Sequence, residues 1–339
     1  MKASNGTQQE RLGARRSLAA SIIGEISALD PGYFAVVMAT GIVSNGFYLQ
    51  GQRSLSDALF AIGVAAYAWL VLLTALRAAL FGAALRADLL SPRTVFLFFT
   101  FVAATDVLGI AIGVRGFPTI ALAMWLGAAA IWIILVYLGF GVLTFLNAPD
   151  GADVVDGAWL NAIVATQSLV ILGVEVVLPA ADAGPAGWLM IHMLWTVGLG
   201  LYGIYIALLC NRIFFVDVKP ADVTPPLWIV MGAAAISANA GSALAADGAT
   251  TPFLRSMQPF VDGMTLGLWA WATWWIPLLI LVGVWKHGIH RVPIVYTPKL
   301  WSIVFPVGMY GVATFRLCPG LGPSPGSRWP PGARRGSHC

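Results

Sequence analysis

The stretch WSIVFPVGMYGVATF, at positions 301–315, decides how this chain folds. It is an apolar run just long enough to enter a bilayer, and Phe305 and Pro306 interrupt it. A proline removes one helical hydrogen bond, and in lipid such a break survives only against other helices or a water-filled cavity. The stretch therefore predicts a kinked helix in the wall of a pathway.

The composition of the whole chain predicts an integral membrane protein. Of its 339 residues, 59% are hydrophobic and 10% are charged, whereas an ordinary soluble domain carries roughly 25% charged residues. The net charge of +4 comes from Lys and Arg in the segments between apolar runs. We therefore expect a lipid bilayer, and not nucleic acid, as the partner of this chain.

Motifs for catalysis or metal binding are missing from the sequence. It contains no HExxH, CxxC or Walker pattern, and its three cysteines are scattered. An odd and scattered set of cysteines predicts neither a disulfide framework nor a metal site. We therefore expect no enzyme activity, no metal and no cofactor.

Apolar runs of roughly 17 to 25 residues, the length needed to span a bilayer, recur along the chain. We place nine of them at about 33–50, 57–80, 94–113, 118–140, 157–178, 187–210, 227–246, 260–284 and 301–316. The mostly short connections between them predict antiparallel neighbours. The chain is thereby divided into an N-terminal segment 1–29, a transmembrane domain 30–316 and a tail 317–339.

Basic residues are distributed unevenly between the two sides that these segments define. The side that includes the N-terminus carries most of the Lys and Arg, and the other side carries only Arg53, Arg115 and Arg255. Because cytoplasmic loops are richer in Lys and Arg, we expect the segment 1–29 to be cytoplasmic. The expected location is the inner (plasma) membrane of a bacterial-type cell.

Polar residues are concentrated in the odd-numbered segments, whereas the even-numbered segments are more uniformly apolar. This alternation predicts an all-α protein in which helical hairpins place odd helices around a central pore and even helices against lipid. As a set, the polar residues are predicted to line the pore, although each alone equally fits a contact between helices. They are Thr40, Ser44, Asn45, Asp106, Asn161, Gln167, Ser237 and Asn239.

Three stretches resemble the tellurite-resistance/dicarboxylate transporter family. They are PGYFAVVMATGIVSNGFY at 31–48, VAATDVLG at 102–109 and WSIVFPVGMYGVAT at 301–314. The family includes bacterial tellurite-resistance channels, fungal malate carriers and plant slow anion channels. The resemblance implies ten helices arranged as five hairpins around an anion pore, usually in a homotrimer, with a phenylalanine of the ninth helix as a plug. Phe305 matches that phenylalanine and precedes Pro306.

The chain departs from the family after residue 316. The stretch CPGLGPSPGSRWPPGARRGSHC at 318–339 is rich in Pro and Gly and contains no apolar run, so only nine of the ten expected spans are visible. We expect a frameshifted or truncated end, with a natural disordered tail as the alternative. With either kind of end, the fifth hairpin lacks its second helix. A further alternative is then that the protein is a non-transporting remnant.

Asp106 lies near the middle of the third segment, where an ionisable group costs at least about 2.5–3.5 kcal/mol and normally faces the protein interior or water. It is predicted either to bind a proton that is coupled to anion transport or to hydrogen-bond a neighbouring helix. No Lys or Arg lies near the centre of any segment, which favours weak binding and channel-like passage. Arg316 is the plausible cation of the ninth segment.

The function expected from these features is transport of small anions, with malate-like dicarboxylates as the first choice of substrate. Phe305 and Pro306 would form the gate, and protons would be a possible coupling ion. The alternative within transport is efflux of sulfite, tellurite-related anions or a metabolite.

Overall fold

The computed structural model describes residues 23–146, 155–247 and 251–317. Among these residues, nine helices are long and apolar enough to cross a membrane. They are α1 (Pro31–Leu49), α2 (Arg53–Leu80), α3 (Val95–Gly113), α4 (Pro118–Phe145), α5 (Gly157–Ala180), α6 (Pro185–Phe215), α7 (Pro225–Ala246), α8 (Gln258–Ile289) and α9 (Pro298–Leu317). The predicted number and order of spans are confirmed, with boundaries that differ by at most a few residues.

The five odd-numbered helices begin in the same way, with a short 3-10 turn. An Asp or Thr precedes each turn: Asp30, Thr94, Asp156, Thr224 and Thr297. The five turns contact one another in a closed cycle, so these helices all start on one side of the molecule. We call this side the N-side and the opposite side, where the odd helices end, the C-side.

The same five helices form a closed ring. Helix α1 packs against α3, α3 against α5, α5 against α7, α7 against α9, and α9 against α1. Each even helix covers the outside of two ring helices: α2 contacts α1 and α3, α4 contacts α3 and α5, α6 contacts α5 and α7, and α8 contacts α7 and α9. The predicted arrangement of inner odd helices and outer even helices is confirmed.

Burial separates the ring from its surroundings, with one exception. In an apolar 18-residue stretch of each helix, between 61% and 89% of the residues are buried in α1, α3, α5 and α7, against 11% to 33% in the even helices. Helix α9 is 28% buried although it belongs to the ring. Within the described residues no outer helix covers the junction of α9 and α1. The described residues do not include 318–339 or most of the segment 1–29. The expected lack of a tenth helix concerns 318–339 and so lies outside the described residues.

Close packing within the ring depends on glycine. A Cβ atom added to Gly41 of α1 would lie 2.7 Å from Val107 Cγ1 of α3. A Cβ added to Gly232 of α7 would lie 2.8 Å from both Cβ and Cγ of Pro306 in α9. Since such distances are shorter than van der Waals contact, these two helix pairs approach as closely as they do only because a side chain is absent. Small residues serve this purpose in membrane helix contacts generally.

The α-helical part of α9 runs over Trp301–Leu317 with Pro306 inside it, so the helix continues past the proline, and the expected kink there stays a prediction. Pro306 lies only five residues after Trp301, so the hydrogen bond it cannot donate is the one to the Ser302 carbonyl near the helix start. The turns that follow it are unaffected. Pro306 therefore contributes to packing against Gly232 and does not divide the helix.

Candidate functional site

A small cavity lies inside the ring, toward the C-side. Its volume is about 20 Å³, enough for a water-sized group, and all five ring helices contribute to its wall. The polar residues that line it are Asn45 of α1, Ser168 of α5, Asn239 of α7 and Arg316 of α9. We call this space the central cavity. It lies on the axis of the ring, where the sequence predicts a pathway.

Both asparagines of the central cavity keep part of their hydrogen-bonding capacity free. Asn45 Nδ2 donates to the Val107 carbonyl at 3.2 Å, and Asn239 Nδ2 contacts Met309 Sδ at 3.4 Å. Neither Oδ1 atom has a partner among the described residues. Because a buried amide normally satisfies its polar atoms, these side chains are suited to a polar species within the cavity.

Asp106 is fully buried one position before a wall residue of the cavity, Val107. Ser168 Oγ lies 2.7 Å from Asp106 Oδ2 and 2.8 Å from the Ala165 carbonyl. A serine has one hydroxyl hydrogen to donate, so Ser168 either shares it between the two acceptors or donates it to the Ala165 carbonyl while a protonated Asp106 donates to Ser168. Asp106 Oδ1 has no partner within the described residues.

An ion pair lies at the C-side of the central cavity. Arg316 Nη1 donates to Glu175 Oε1, which joins α9 to α5. The side chain of Glu175 is 4% exposed and that of Arg316 is 17% exposed. Glu175 lies in a π-helical turn, Gly173–Val177, that widens the end of α5. The one cation in the cavity wall is therefore held beside a carboxylate.

A second and much larger cavity opens at the N-side. Its volume is about 330 Å³, and the beginnings of all five ring helices contribute to its wall. Charged residues that line it are Asp30, Arg93, Asp156, Arg212, Asp222 and Lys299. We call this space the vestibule. Since the ring helices all start here, the positive ends of their dipoles point toward it.

Along the sequence of α9, Phe305 lies between a residue that lines the vestibule and residues that line the central cavity. Along α9, Lys299 lines the vestibule, and Met309, Val312 and Arg316 line the central cavity. Phe305 is one turn before Met309 and therefore on the same face of the helix. Its side chain is 1% exposed. Phe305 itself falls outside the set of residues that line either cavity.

Six of the eight predicted pore-lining residues fall outside the set that lines the central cavity, and Asp106, next to the wall residue Val107, is one of them. Ser44 Oγ donates to the Ser56 carbonyl of outer helix α2, and Gln167 Nε2 donates to the Trp195 carbonyl of outer helix α6. The other three also fall outside the set of cavity-lining residues: Thr40, Asn161 and Ser237. The pathway proposed below therefore rests on Asn45, Asn239 and Asp106.

Several residues of the site were not singled out by the sequence analysis. Ser168 and Met309 are common residue types in apolar helices, and only helical phase relative to Asn161 or Phe305 could have placed them. Arg93 and Lys299 were counted as loop charges. The Asp or Thr that precedes each odd helix is the signal that could have been used. It marks the five helix starts as equivalent and so predicts that Arg93 and Lys299 lie at the same side of the ring.

Potential metal ligands do not cluster, since the described part of the chain contains no group of three His, Cys, Asp or Glu that could hold a metal ion. What the geometry defines is a membrane protein with a polar axis inside a ring of five helices. That is the architecture of a channel or transporter.

Comparison with known proteins agrees with this class. The sequence model of the SLAC1 (voltage-dependent anion channel) family matches residues 28–329, and the chain belongs to this family. The resemblance found in the sequence is thereby confirmed, and anion transport across a membrane is the general function of the family.

Individual relatives cover parts of the chain. An uncharacterized membrane protein from two strains of Mycobacterium tuberculosis is 42% identical over 111 residues, which is 33% of this chain and 56% of the relative. An uncharacterized transporter of Methanocaldococcus jannaschii is 25% identical over 121 residues, 35% of this chain and 33% of the relative. The match thus spans about half the length of the mycobacterial relatives.

Proposed function

We propose that this protein passes small anions along the axis of its helix ring, with malate-like dicarboxylates as the first substrate class. The observation that carries the proposal is the composition of the axis. The five helix starts surround the vestibule together with three basic and three acidic residues, and the wall of the central cavity offers amides, a hydroxyl and Arg316. Positive helix ends and neutral hydrogen-bonding groups stabilise anions without gripping them tightly.

Phe305 is the gate of this pathway, and Pro306 fixes its position. Phe305 is buried and lies along α9 between the residues that line the two cavities, and this supports the inference that anions pass only when its side chain moves aside. Pro306 packs against Gly232 with almost no clearance, which holds this part of α9 against α7. A rigid backbone beneath a movable aromatic side chain is a simple way to open and close a narrow passage.

Asp106 is the site at which a proton is coupled to anion movement. Its proton would allow Ser168 to donate to the Ala165 carbonyl, whereas loss of the proton would turn the Ser168 hydroxyl toward the carboxylate. Because Ser168 lines the central cavity, this switch changes the hydrogen bonds offered to an anion. The hypothesis that Asp106 only links two helices predicts no effect of protons on transport.

The protein acts in the inner (plasma) membrane with its N-side toward the cytoplasm, and it assembles as a homotrimer. These three statements rest on the excess of basic residues on that side and on the family resemblance. Efflux of sulfite, tellurite-related anions or a metabolite is the alternative, and it uses the same axis in the opposite direction. If the chain folds but transports no anion, it would be a truncated, non-transporting remnant of a transporter.

Flux measurements in proteoliposomes test the proposal. The purified protein is reconstituted, and uptake of radiolabelled malate, sulfite and nitrate is compared with uptake by liposomes without protein. Malate uptake above that background supports the proposed substrate class, and uptake of sulfite alone favours the alternative. Absence of flux for all three anions, from protein that is correctly folded, contradicts anion transport.

The variant Asp106→Asn tests the proton. It keeps the shape of the side chain and a hydrogen bond with Ser168, but it cannot gain or lose a proton near neutral pH. We expect wild-type uptake to rise under an inward proton gradient, and the variant to transport at one rate whether or not the gradient is present. A gradient response that survives in Asp106→Asn would assign the carboxyl a structural role only.

A further inference from the structure

The vestibule contains two cations that no carboxylate neutralises directly. Arg93 precedes α3 and Lys299 lies at the start of α9, and both side chains line the vestibule and are exposed. Within the described residues neither side chain forms an ion pair. In the ring, α1 lies between α9 and α3, so the two cations flank the start of α1 from its two sides.

The acidic residues of the vestibule are committed to other partners. Asp30 accepts a hydrogen bond from Gly32 N at 2.8 Å, and Asp156 accepts from Ala158 N at 3.2 Å, so both cap helix starts. Asp222 accepts from Lys219 N at 3.0 Å and lies 3.9 Å from Arg212.

These carboxylates therefore serve the helix starts and Arg212. The carboxylates keep their charge, but within the described residues Arg93 and Lys299 are the lining cations without an ion-pair partner, so they are the basic groups that can receive an anion from solution.

We propose that the vestibule is a binding site for a dicarboxylate, held with one carboxylate toward Arg93 and the other toward Lys299. This inference rests on the proposed function and names where the substrate is bound before it reaches Phe305. The volume of about 330 Å³ lies at the lower end of ordinary small-molecule sites, roughly 300–1,000 Å³. The central cavity, at about 20 Å³, is too small to hold such an anion with its water.

Two separated cations distinguish this site from a general basic surface. A dianion satisfies both cations at once, whereas a monovalent anion satisfies one. Both cations are exposed and flexible, so each contact is weak and easily reversed. Weak binding is what a vestibule requires, because an anion that is held tightly here would not move on toward Phe305.

Equilibrium binding of radiolabelled malate to the detergent-purified protein tests the site without relying on transport. The variants are Arg93→Gln, Lys299→Gln and the double variant. Arg86→Gln is the matched control, because Arg86 is an exposed cation on the N-side that does not line the vestibule. Nitrate, a monovalent anion, is used as the competitor, and each measurement is repeated at high salt.

We expect the Kd for malate to rise about two- to fivefold in each single variant, as for other exposed charge contacts, and by roughly their product in the double variant. The control should match the wild type, and high salt should reduce the difference. Nitrate should compete less well than a second dicarboxylate. An unchanged Kd in the double variant, or an equal loss in Arg86→Gln, overturns the inference.

The outcomes also separate this inference from the proposed function. Malate binding that depends on Arg93 and Lys299, in a protein that shows no flux, would keep the binding site and contradict transport. Flux with a malate KM that is the same in the wild type and in the double variant would keep transport and contradict the binding site.

Discussion

The vestibule and the central cavity lie toward opposite ends of the ring helices and differ in size and chemistry. The vestibule is about 330 Å³ and presents exposed basic side chains, whereas the central cavity is about 20 Å³ and presents buried amides and one arginine beside a carboxylate. A charged group that stays in contact with water costs little free energy, whereas a charged group that is buried away from water costs much more. Under the proposed function, an anion would be attracted at the N-side and would lose water before it passes Phe305.

The ion pair of the central cavity should give the largest change in stability. Arg316→Gln removes the cation beside Glu175, whose side chain is 4% exposed, and breaking a buried pair costs about 3–5 kcal/mol. Thermal unfolding in detergent should show a large decrease in Tm.

The matched control for Arg316→Gln is an ion pair on the surface. Asp57→Asn breaks the contact between Arg115 and a carboxylate that is 62% exposed, where the expected cost is about 0–1 kcal/mol. Equal effects in the two variants would mean that the central cavity is as wet as the surface, and the comparison with the vestibule would fail.

The wall of the vestibule should give the next largest change. A Cβ added to Gly157 would lie 2.4 Å from the Pro226 carbonyl oxygen and 2.8 Å from Leu227 Cα. Gly157→Ala must therefore push apart two helix starts, and overpacking of this kind costs about 1–3 kcal/mol.

A second glycine variant separates this clash from the general effect of alanine. Gly127→Ala in α4 meets nothing within 4 Å and should be neutral or slightly stabilising, since alanine is the better helix former. A normal Tm for Gly157→Ala would show that the helix starts are not packed as tightly as described.

The amides of the central cavity should give the smallest effect, and only on transport. Asn239→Leu keeps a side chain of similar size but removes hydrogen bonding from the axis, so anion flux should fall about two- to tenfold, the equivalent of one hydrogen bond of roughly 0.5–1.5 kcal/mol. Asn211→Leu is the control, because Asn211 lies exposed on outer helix α6. An equal loss of flux in both variants would remove Asn239 from the pathway.

The architecture could be predicted from the sequence because its signals are local. Each span is a long apolar run, and the polar residues of odd segments mark the helices that face one another. The alternation of polar odd segments and apolar even segments was sufficient to predict the ring. A proline near a helix start removes a bond that the rest of the helix does not need, so α9 continues through Pro306, and the expected kink there stays a prediction.

The site could be predicted only in part, because it depends on contacts between distant segments. Glu175 and Arg316 are 141 positions apart, and the sequence around one residue does not predict that the other is its partner. Gln167 and Ser44 look like pore residues by composition, yet their helical phase turns them toward outer helices. Phase within the ring, and not polarity alone, decides which side chains reach the axis.

The most direct test of the central claim is anion flux through Phe305→Ala in proteoliposomes, compared with the wild type and with Phe96→Ala. Phe96 is also buried, but its ring lies 5.4 Å from Tyr205 of outer helix α6 and so away from the axis. Removing the Phe305 side chain should join the two cavities and raise flux at least about tenfold, the change that a barrier lower by about 1.4 kcal/mol gives. Flux that is unchanged in folded Phe305→Ala, or that rises equally in Phe96→Ala, would contradict a gated axial pathway.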